Sequence, residues 1–426
     1  MAGSKLSPPV HKKKPSLLRF WKLLGPGLIT GASDDDPSGI ATYSQAGARF
    51  GLATLWTSLA AFPLMYVVQE MCARIGLVTN RGLAGVVKDH YPRWVLYGVI
   101  AFSCPAILLN ISADIAGMGA VANLIFPQVP ATAFSIFFVA LLSYLMVVLP
   151  YRRLAAIMKY LCIVLLVYLV VPFLSRQHLG NVLWHTFVPQ IEFSREFLLV
   201  LVGILGTTIS PYLFFWQTSM EVEEMHGPKK AIVLDKSILP RMHKDVGIGM
   251  FFSVLVMYFI TLTAGTVLHE SGLTQIETVE DAAKALRPLA GNFSYGLFAL
   301  GVLGTGLLAV PVLAGSLSYI LSETFGWKEG LNKKFHQARE FYIVIIIATI
   351  LGLGINFTGI GPVKALLYTA VLYGVTAPVL IGVILHICNN RKIMQTFTNG
   401  RLTNIIGGLT LLLMGGAAVL LLVLMF

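Results

Sequence analysis

Apolar stretches of about twenty residues follow one another along this chain at short intervals, and that pattern limits its fold more than any other feature. They lie near 23–44, 52–72, 95–125, 131–149, 154–174, 197–219, 246–267, 293–322, 341–357, 362–388 and 403–425, eleven in all. In lipid every backbone polar group must be bonded internally, so only helices and closed barrels can cross a membrane. These runs are continuous rather than alternating, which excludes a barrel. Charged residues make up 12% of the 426 and apolar residues 56%. That balance excludes a soluble globular enzyme, a disordered chain and a nucleic-acid-binding protein. The expectation is an all-α integral membrane protein of about eleven transmembrane helices, with the lipid bilayer as its standing partner.

The formal net charge of +11 would suit a polyanion, but the positions of the charges give it another meaning. With the N-terminus inside, segments 1–22, 73–94, 150–159, 220–245, 323–340 and 389–402 are cytoplasmic and hold 25 of the 31 Lys and Arg. Cytoplasmic loops carry this kind of excess. The chain is therefore expected in the cell membrane as a multi-pass protein, its C-terminus outside. Residues 1–22 read as a cytoplasmic tail and not as a cleavable signal peptide. Cys72, Cys104, Cys162 and Cys388 are scattered without a CxxC pair, so neither a disulfide framework nor a zinc site is expected. In the acidic loop 268–292 the stretch VEDAAKAL suits a short surface helix, and the loop 220–245 suits partial helix.

Charges inside a membrane are costly, and an intramembrane acid points to function. Asp34, Asp35 and Asp36 fall in the first span, Glu70 near the inner end of the second and Asp114 in the third. In the first span Pro37 lacks an amide donor and disfavours helix at Asp36, while Gly39 adds backbone freedom. The helix is expected to unwind near 34–39, freeing carbonyl oxygens beside carboxylates, which suits a cation. Reading the three acids as a loop would leave the apolar, Gly-rich segment 23–33 stranded. The sixth span has a matching interruption at Pro211, preceded by Thr207, Thr208 and Ser210. Paired interrupted segments in two halves point to a midplane substrate site between inverted repeats. Glu70 is expected to pair with a basic residue or to face water. Asp114 is deep enough to line a route or join a gate. The nine His fall mostly in loops and none in spans 1 or 6. The chain holds no HExxH, no phosphate-binding loop and no GxSxG with partners, so no enzyme activity is expected.

GPG at the start of span 1, the Asp-Pro pair at its break, ARFG after it, ARIGLVTNRGL after span 2, Asp114, PYRRL and GTTISPY together resemble the Nramp divalent-metal transporters, over about residues 20–390. The resemblance implies a LeuT-type fold: two inverted five-helix repeats, here 23–174 and 197–388, plus an extra helix at 403–426. It also implies a site at the breaks of helices 1 and 6. The departures are as informative. The family's helix 1 motif is Asp-Pro-Gly-Asn, and here it reads Asp36-Pro37-Ser38-Gly39, so the ligand Asn is lost. The helix 6 motif is Met-Pro-His, and here it reads Ser210-Pro211-Tyr212. A second family His is Gln217, the acid three positions beyond the helix 3 Asp is Gly117, and the helix 10 Gln falls near Ala370.

Thioether sulfur favours soft metals, so Ser210 in place of Met removes a filter against hard ions. Mg²⁺ prefers oxygen ligands and keeps several waters. The chain is similar in these positions to the Nramp-related magnesium transporters. The resemblance implies Asp36 as the main charged ligand or anchor of a partly hydrated ion. Ser33 and Thr207 would offer backbone carbonyls, Ser38, Thr208 and Ser210 hydroxyls, and Gly39 space. Tyr212, Gln217, Asp114 and Asp35 would surround or gate the site, and Asp34 with Asp35 would draw cations to a vestibule. The expected activity is uptake of Mg²⁺, and of Mn²⁺, without proton coupling, because the family's proton-relay positions are gone. No cofactor and no obligatory protein partner are expected, and a monomer would suffice. Two alternatives share the fold: a proton-coupled Mn²⁺/Fe²⁺ transporter, and a carrier of amino acids or other organic solutes, whose carboxylate three acids would repel.

Overall fold

Two spans of this chain stop at mid-length and restart, and the other helices are arranged around those stops. The computed structural model describes residues 25–149, 178–225, 238–287 and 294–425, with residues 153, 157, 167–170 and 291 between them. The first span consists of α1 (Pro26–Asp34) and α2 (Pro37–Phe50). It is followed by α3 (Trp56–Thr79), the short α4 (Leu83–His90), α5 (Arg93–Ile125) and α6 (Ala131–Val148). After α7 (Leu179–Phe187), the sixth span consists of α8 (Arg195–Thr208) and α9 (Pro211–Met225). Then come α10 (Ile238–Ala264), α11 (Val279–Ala283), α12 (Ser294–Phe325), α13 (Arg339–Leu351), α14 (Pro362–Asn389) and α15 (Arg401–Met425). Among the described residues, nine helical segments are long and apolar enough to cross a membrane, and the broken first span adds another. The fifth expected span, 154–174, lies largely outside the described residues, of which 167–170 are helical.

The first break is tighter than the sequence suggested, and the sixth is as short. Only Asp35 and Asp36 leave the helix in the first span, and only Ile209 and Ser210 in the sixth. The reason is local: Asp36 is the N-cap of α2, its side chain accepting from the Gly39 amide, and Pro37 then occupies the first helical turn. Pro211 likewise occupies the first turn of α9, but the Ser210 hydroxyl bonds back to the Gly206 and Thr207 carbonyls and does not cap it.

The packing is helix on helix, with small residues where backbones meet. Gly27 and Gly31, one turn apart on α1, lie against Asp245, Val246 and Gly249 of α10. A Cβ at Gly27 would stand 2.8 Å from the Val246 Cα, so α1 touches α10 backbone to backbone. In the same way Gly206 of α8 lies against Ala370 and Gly374 of α14. The connections 80–92, 326–338 and 390–400 gather at one face of the bundle, here the basic face. Arg74 there donates to the carbonyl of Phe397 and to Asn399, and Glu323 accepts from the Gly85 amide.

The VEDAAKAL segment does form a helix, capped by reciprocal bonds between Thr278 and Asp281. It is not a surface helix, however. Ala282, Ala283, Ala285 and Leu286 are buried against the bundle, because its small and apolar residues form one face. His243, expected in a loop, belongs to α10.

Candidate functional site

Asp36 is the organising group. It is 1% exposed, and its carboxylate accepts from the Gly39 amide at 2.7 Å, the Ser38 hydroxyl at 2.7 Å and Asn110 Nδ2 of α5 at 2.8 Å. Ser38 also meets the hydroxyl of Thr207 across the gap to the sixth span, at 3.3 Å. The two breaks therefore face each other, joined by hydroxyls. Tyr212 strengthens the junction by donating to the Ser33 carbonyl at 2.7 Å. Ser210 turns inward on its own break, donating to the Thr207 carbonyl at 2.5 Å. Both expected backbone ligands, Ser33 and Thr207, thus have their carbonyls engaged by side chains of the site.

Thr208 lies on a different flank, bonded to the Tyr43 hydroxyl at 2.9 Å and donating to Met257 Sδ at 3.6 Å. This sulfur borders the breaks with its lone pairs turned on a hydroxyl. Ser253, one turn before Met257, donates to Asp34 at 2.7 Å. Asp34 and Asp35 are 0% exposed, so they belong to the break itself and do not reach a vestibule. Neither oxygen of Asp35 has a hydrogen-bond partner. Asp114 is equally buried and lies close enough to Asp36 and to the Ser38 amide to interact with both.

Gly39 is enclosed. A Cβ there would lie 3.2 Å from the Asp34 carbonyl oxygen and 3.3 Å from the Tyr43 ring. The missing side chain lets α2 approach α1 and Thr207, and Tyr43 fills the space that the sequence reading assigned to the ion. At Gly117 a Cβ would press on Leu366 Cδ1 of α14 at 3.3 Å and meet the Pro37 ring at 3.9 Å. Gln217 lies two turns from the sixth-span break. It accepts from Thr30 of α1 at 2.5 Å and donates to Glu221 at 2.9 Å, tying α1 to α9 on the basic side. Glu70 pairs with Arg74 and with His243, each at 3.0 Å, at the basic edge. Among the described residues no imidazole bonds to the breaks.

A cavity approaches the breaks from each face. One, of about 280 Å³, reaches Thr42 and Gly203, one turn from Ser38 and Thr207. The other, of about 500 Å³, opens on the basic face among Ser219, Glu223, Glu323 and Glu329. There burial and the charge of Glu323 push the Glu329 carboxyl up to about 9. The basic-face cavity stops short of the breaks, and the Thr30–Gln217–Glu221 chain lies between.

Sequence reasoning overlooked Asn110, Tyr43, Ser253 and Tyr373. For Asn110 a signal existed: it lies four residues before Asp114, on the same face of one helix. Tyr43 lies on α2 itself, one turn beyond Gly39, whereas Ser253 and Tyr373, whose ring packs on Tyr212, come from remote spans and only packing brings them in.

A helical bundle whose first and sixth spans break side by side, with cavities approaching from both faces, is a membrane carrier of the LeuT type. The chain belongs to the Nramp family, matching "Natural resistance-associated macrophage protein-like" over residues 27–424, and is a transporter and not an enzyme. It is 26% identical over 399 residues to a divalent metal cation transporter MntH of Caldanaerobacter subterraneus, covering 92% of this chain and 90% of that one. A second MntH, from Klebsiella pneumoniae, is 24% identical over 392 residues, with 90% of each chain covered. Among solved structures, a manganese transporter of Eremococcus coleocola superposes with a TM-score of 0.76 at 18% identity, covering 98% of this chain and 88% of that one. MhsT in complex with L-phenylalanine superposes with a TM-score of 0.57 at 13% identity, covering 94% and 97%.

Proposed function

We propose that this protein carries divalent cations into the cell, Mg²⁺ first and Mn²⁺ as well, by alternating access at the breaks of the first and sixth spans, without moving protons. The family and the names of its MntH relatives support divalent-cation transport. The observation that carries the Mg²⁺ reading is the donor set around Asp36. The side chains that bond it or join its network are Ser38, Asn110 and Thr207, while Ser210 and Tyr212 occupy the positions of the family's thioether and imidazole. Oxygen donors suit a hard ion that sheds water reluctantly.

The absence of proton coupling is supported by Gly117, which faces Pro37 without an acid to relay a proton, and by Gln217, which cannot take one at neutral pH. The membrane potential then drives uptake, at about 2.3 kcal/mol per charge per 100 mV. In this reading the basic face is cytoplasmic, the repeats span 23–174 and 197–388, and helix 11 spans 403–426. The 280 Å³ cavity is the outer approach, and the Thr30–Gln217–Glu221 chain closes the inner one.

The test is Mg²⁺ influx into proteoliposomes with a Mg²⁺ dye and a pH dye trapped together, for wild type and Asp36→Ala. Influx that vanishes in the variant, with a silent pH dye in wild type, supports the reading. Mn²⁺ influx with lumenal acidification and no Mg²⁺ influx would return the chain to the proton-coupled activity.

A further inference from the structure

Beside Asp36, and outside the two breaks, three completely buried side chains carry polar atoms with no well-formed hydrogen bond, although the Ser38 amide lies near Asp114 and the Asn110 amide near Tyr373. They are Asn110 Oδ1, both oxygens of Asp114 and the Tyr373 hydroxyl, and each residue is 0% exposed. Asn110 and Asp114 share a face of α5, four residues apart, while Tyr373 comes from α14. Tyr373 stands beside the Asn110 amide and interacts with both Asp36 and Asp114. Its ring packs on Tyr212 with centroids 5.7 Å apart, which holds it against the sixth-span break. Asn110 is itself held by the bond from its Nδ2 to Asp36 at 2.8 Å, and that bond aims its free oxygen away from the carboxylate.

Leaving buried polar atoms unpaired is unfavourable, and native proteins seldom do it in a cluster. These atoms are mostly acceptors. An amide oxygen and a carboxylate need donors, and a hydroxyl serves either way. A bare cation would compete for direct oxygens close to Asp36. A hydrated cation instead presents a shell of water hydrogens, made strongly donating by the metal.

We infer that Asn110, Asp114 and Tyr373 form a wall that grips the water shell of the transported ion, so that Asn110 and Tyr373 set the preference for cations that keep their waters. The inference rests on the reading that a divalent cation passes beside Asp36. The ion is then held by the charge of Asp36 and by its waters from α5 and α14. Mg²⁺ holds its shell more firmly than the softer divalent metals, so it depends more on the wall.

The test uses influx of Mg²⁺ and of Mn²⁺ in proteoliposomes for wild type, Asn110→Leu, Tyr373→Phe and Asp36→Ala. A second readout is competition by hexaamminecobalt(III), whose ammine shell does not exchange and which binds only through that shell. Each wall variant is expected to raise the KM for Mg²⁺ about five- to tenfold, the loss of one net hydrogen bond. The KM for Mn²⁺ should rise less than that for Mg²⁺, and inhibition by hexaamminecobalt(III) should weaken in parallel with the Mg²⁺ effect. Tyr373→Phe removes only a hydroxyl that lies beside the Asn110 amide and leaves the ring in place, so it carries the test alone if Asn110→Leu does not fold. Wild-type Mg²⁺ influx lost in Asp36→Ala, with the wall variants unchanged in KM, in Mg²⁺/Mn²⁺ ratio and in cobalt inhibition, overturns the wall and leaves the transport reading standing. If wild type moves Mn²⁺ and no Mg²⁺, the Mg²⁺ reading fails. The preference assigned to the wall falls with it, and only its grip on the ion's waters stands if the variants raise the KM for Mn²⁺ and relieve cobalt inhibition; if they do neither, the wall falls entirely. A wild type that moves no divalent cation overturns both.

Discussion

Replacing Asp36 separates what this residue does for the fold from what it does for the ion. Its carboxylate accepts three bonds, from Gly39 N, Ser38 Oγ and Asn110 Nδ2. In Asp36→Asn the amide oxygen keeps the first two. The new NH₂ meets Asn110, which can turn its own amide over and accept through the Oδ1 that has no partner in the wild type. Folding stability should therefore fall by no more than about 1 kcal/mol. Asp36→Ala loses the N-cap of α2, about 1 kcal/mol, and orphans a buried donor, a further ~1–3 kcal/mol, for a total of about 2–4 kcal/mol. Both variants lose the charge. A divalent ion ~5 Å from a carboxylate, at an effective dielectric constant of about 20, loses roughly 7 kcal/mol of attraction, or about five decades of affinity. Both should be silent in Mg²⁺ and Mn²⁺ influx, while thermal inactivation in detergent, followed by size-exclusion fluorescence, should leave Asn near wild type and Ala well below it. Transport by Asp36→Asn with a KM within tenfold of wild type would refute the electrostatic role. An Asn variant as labile as Ala would refute the account of the Asn110 amide.

Four further outcomes follow from the same geometry. Ser210→Met returns a thioether to the sixth-span break and should shift the Mn²⁺/Mg²⁺ ratio of kcat/KM at least about tenfold toward Mn²⁺, read from paired influx assays. Gly249→Ala places a Cβ against the Gly27 carbonyl and 3.0 Å from the Leu28 amide, so α1 must shift; a loss of about 1–3 kcal/mol should appear as a lower melting temperature. Glu329, with a carboxyl pushed up to about 9, favours its protonated form in the fold; its stabilising contribution is full below its unfolded value near 4.5 and is lost as pH rises through about 9. Glu329→Gln should therefore melt above wild type at pH 8 and converge with it toward pH 4, checked by melting curves across that range. Gln45 accepts from the Ile276 amide at 2.9 Å and donates to the Thr274 carbonyl at 3.4 Å, latching the 270–287 loop to α2. Gln45→Ala should speed amide exchange at Ile276 about tenfold, the loss of one hydrogen bond.

The sequence alone determined that this is a multi-pass helical membrane protein, where its spans lie and where two of them break. Those properties are local: a run of apolar residues is long enough to cross lipid or it is not, and Asp36-Pro37 and Ser210-Pro211 interrupt a helix whatever surrounds them. The family could also be read there, because its motifs sit at those interruptions. The tertiary structure decided which side chains meet. Asn110 reaches Asp36 from another helix, announced only by its spacing from Asp114, and Tyr373 comes beside them from α14 with no signal along its own segment. Packing also enclosed Gly39 under Tyr43, drew Asp34 to Ser253 and buried one face of the 279–286 segment. The length of the first break was decided by local capping, which the sequence reading left unused. Once Asp36 caps α2, only two residues remain outside the helices, because every other backbone group at that depth must find a partner within the protein.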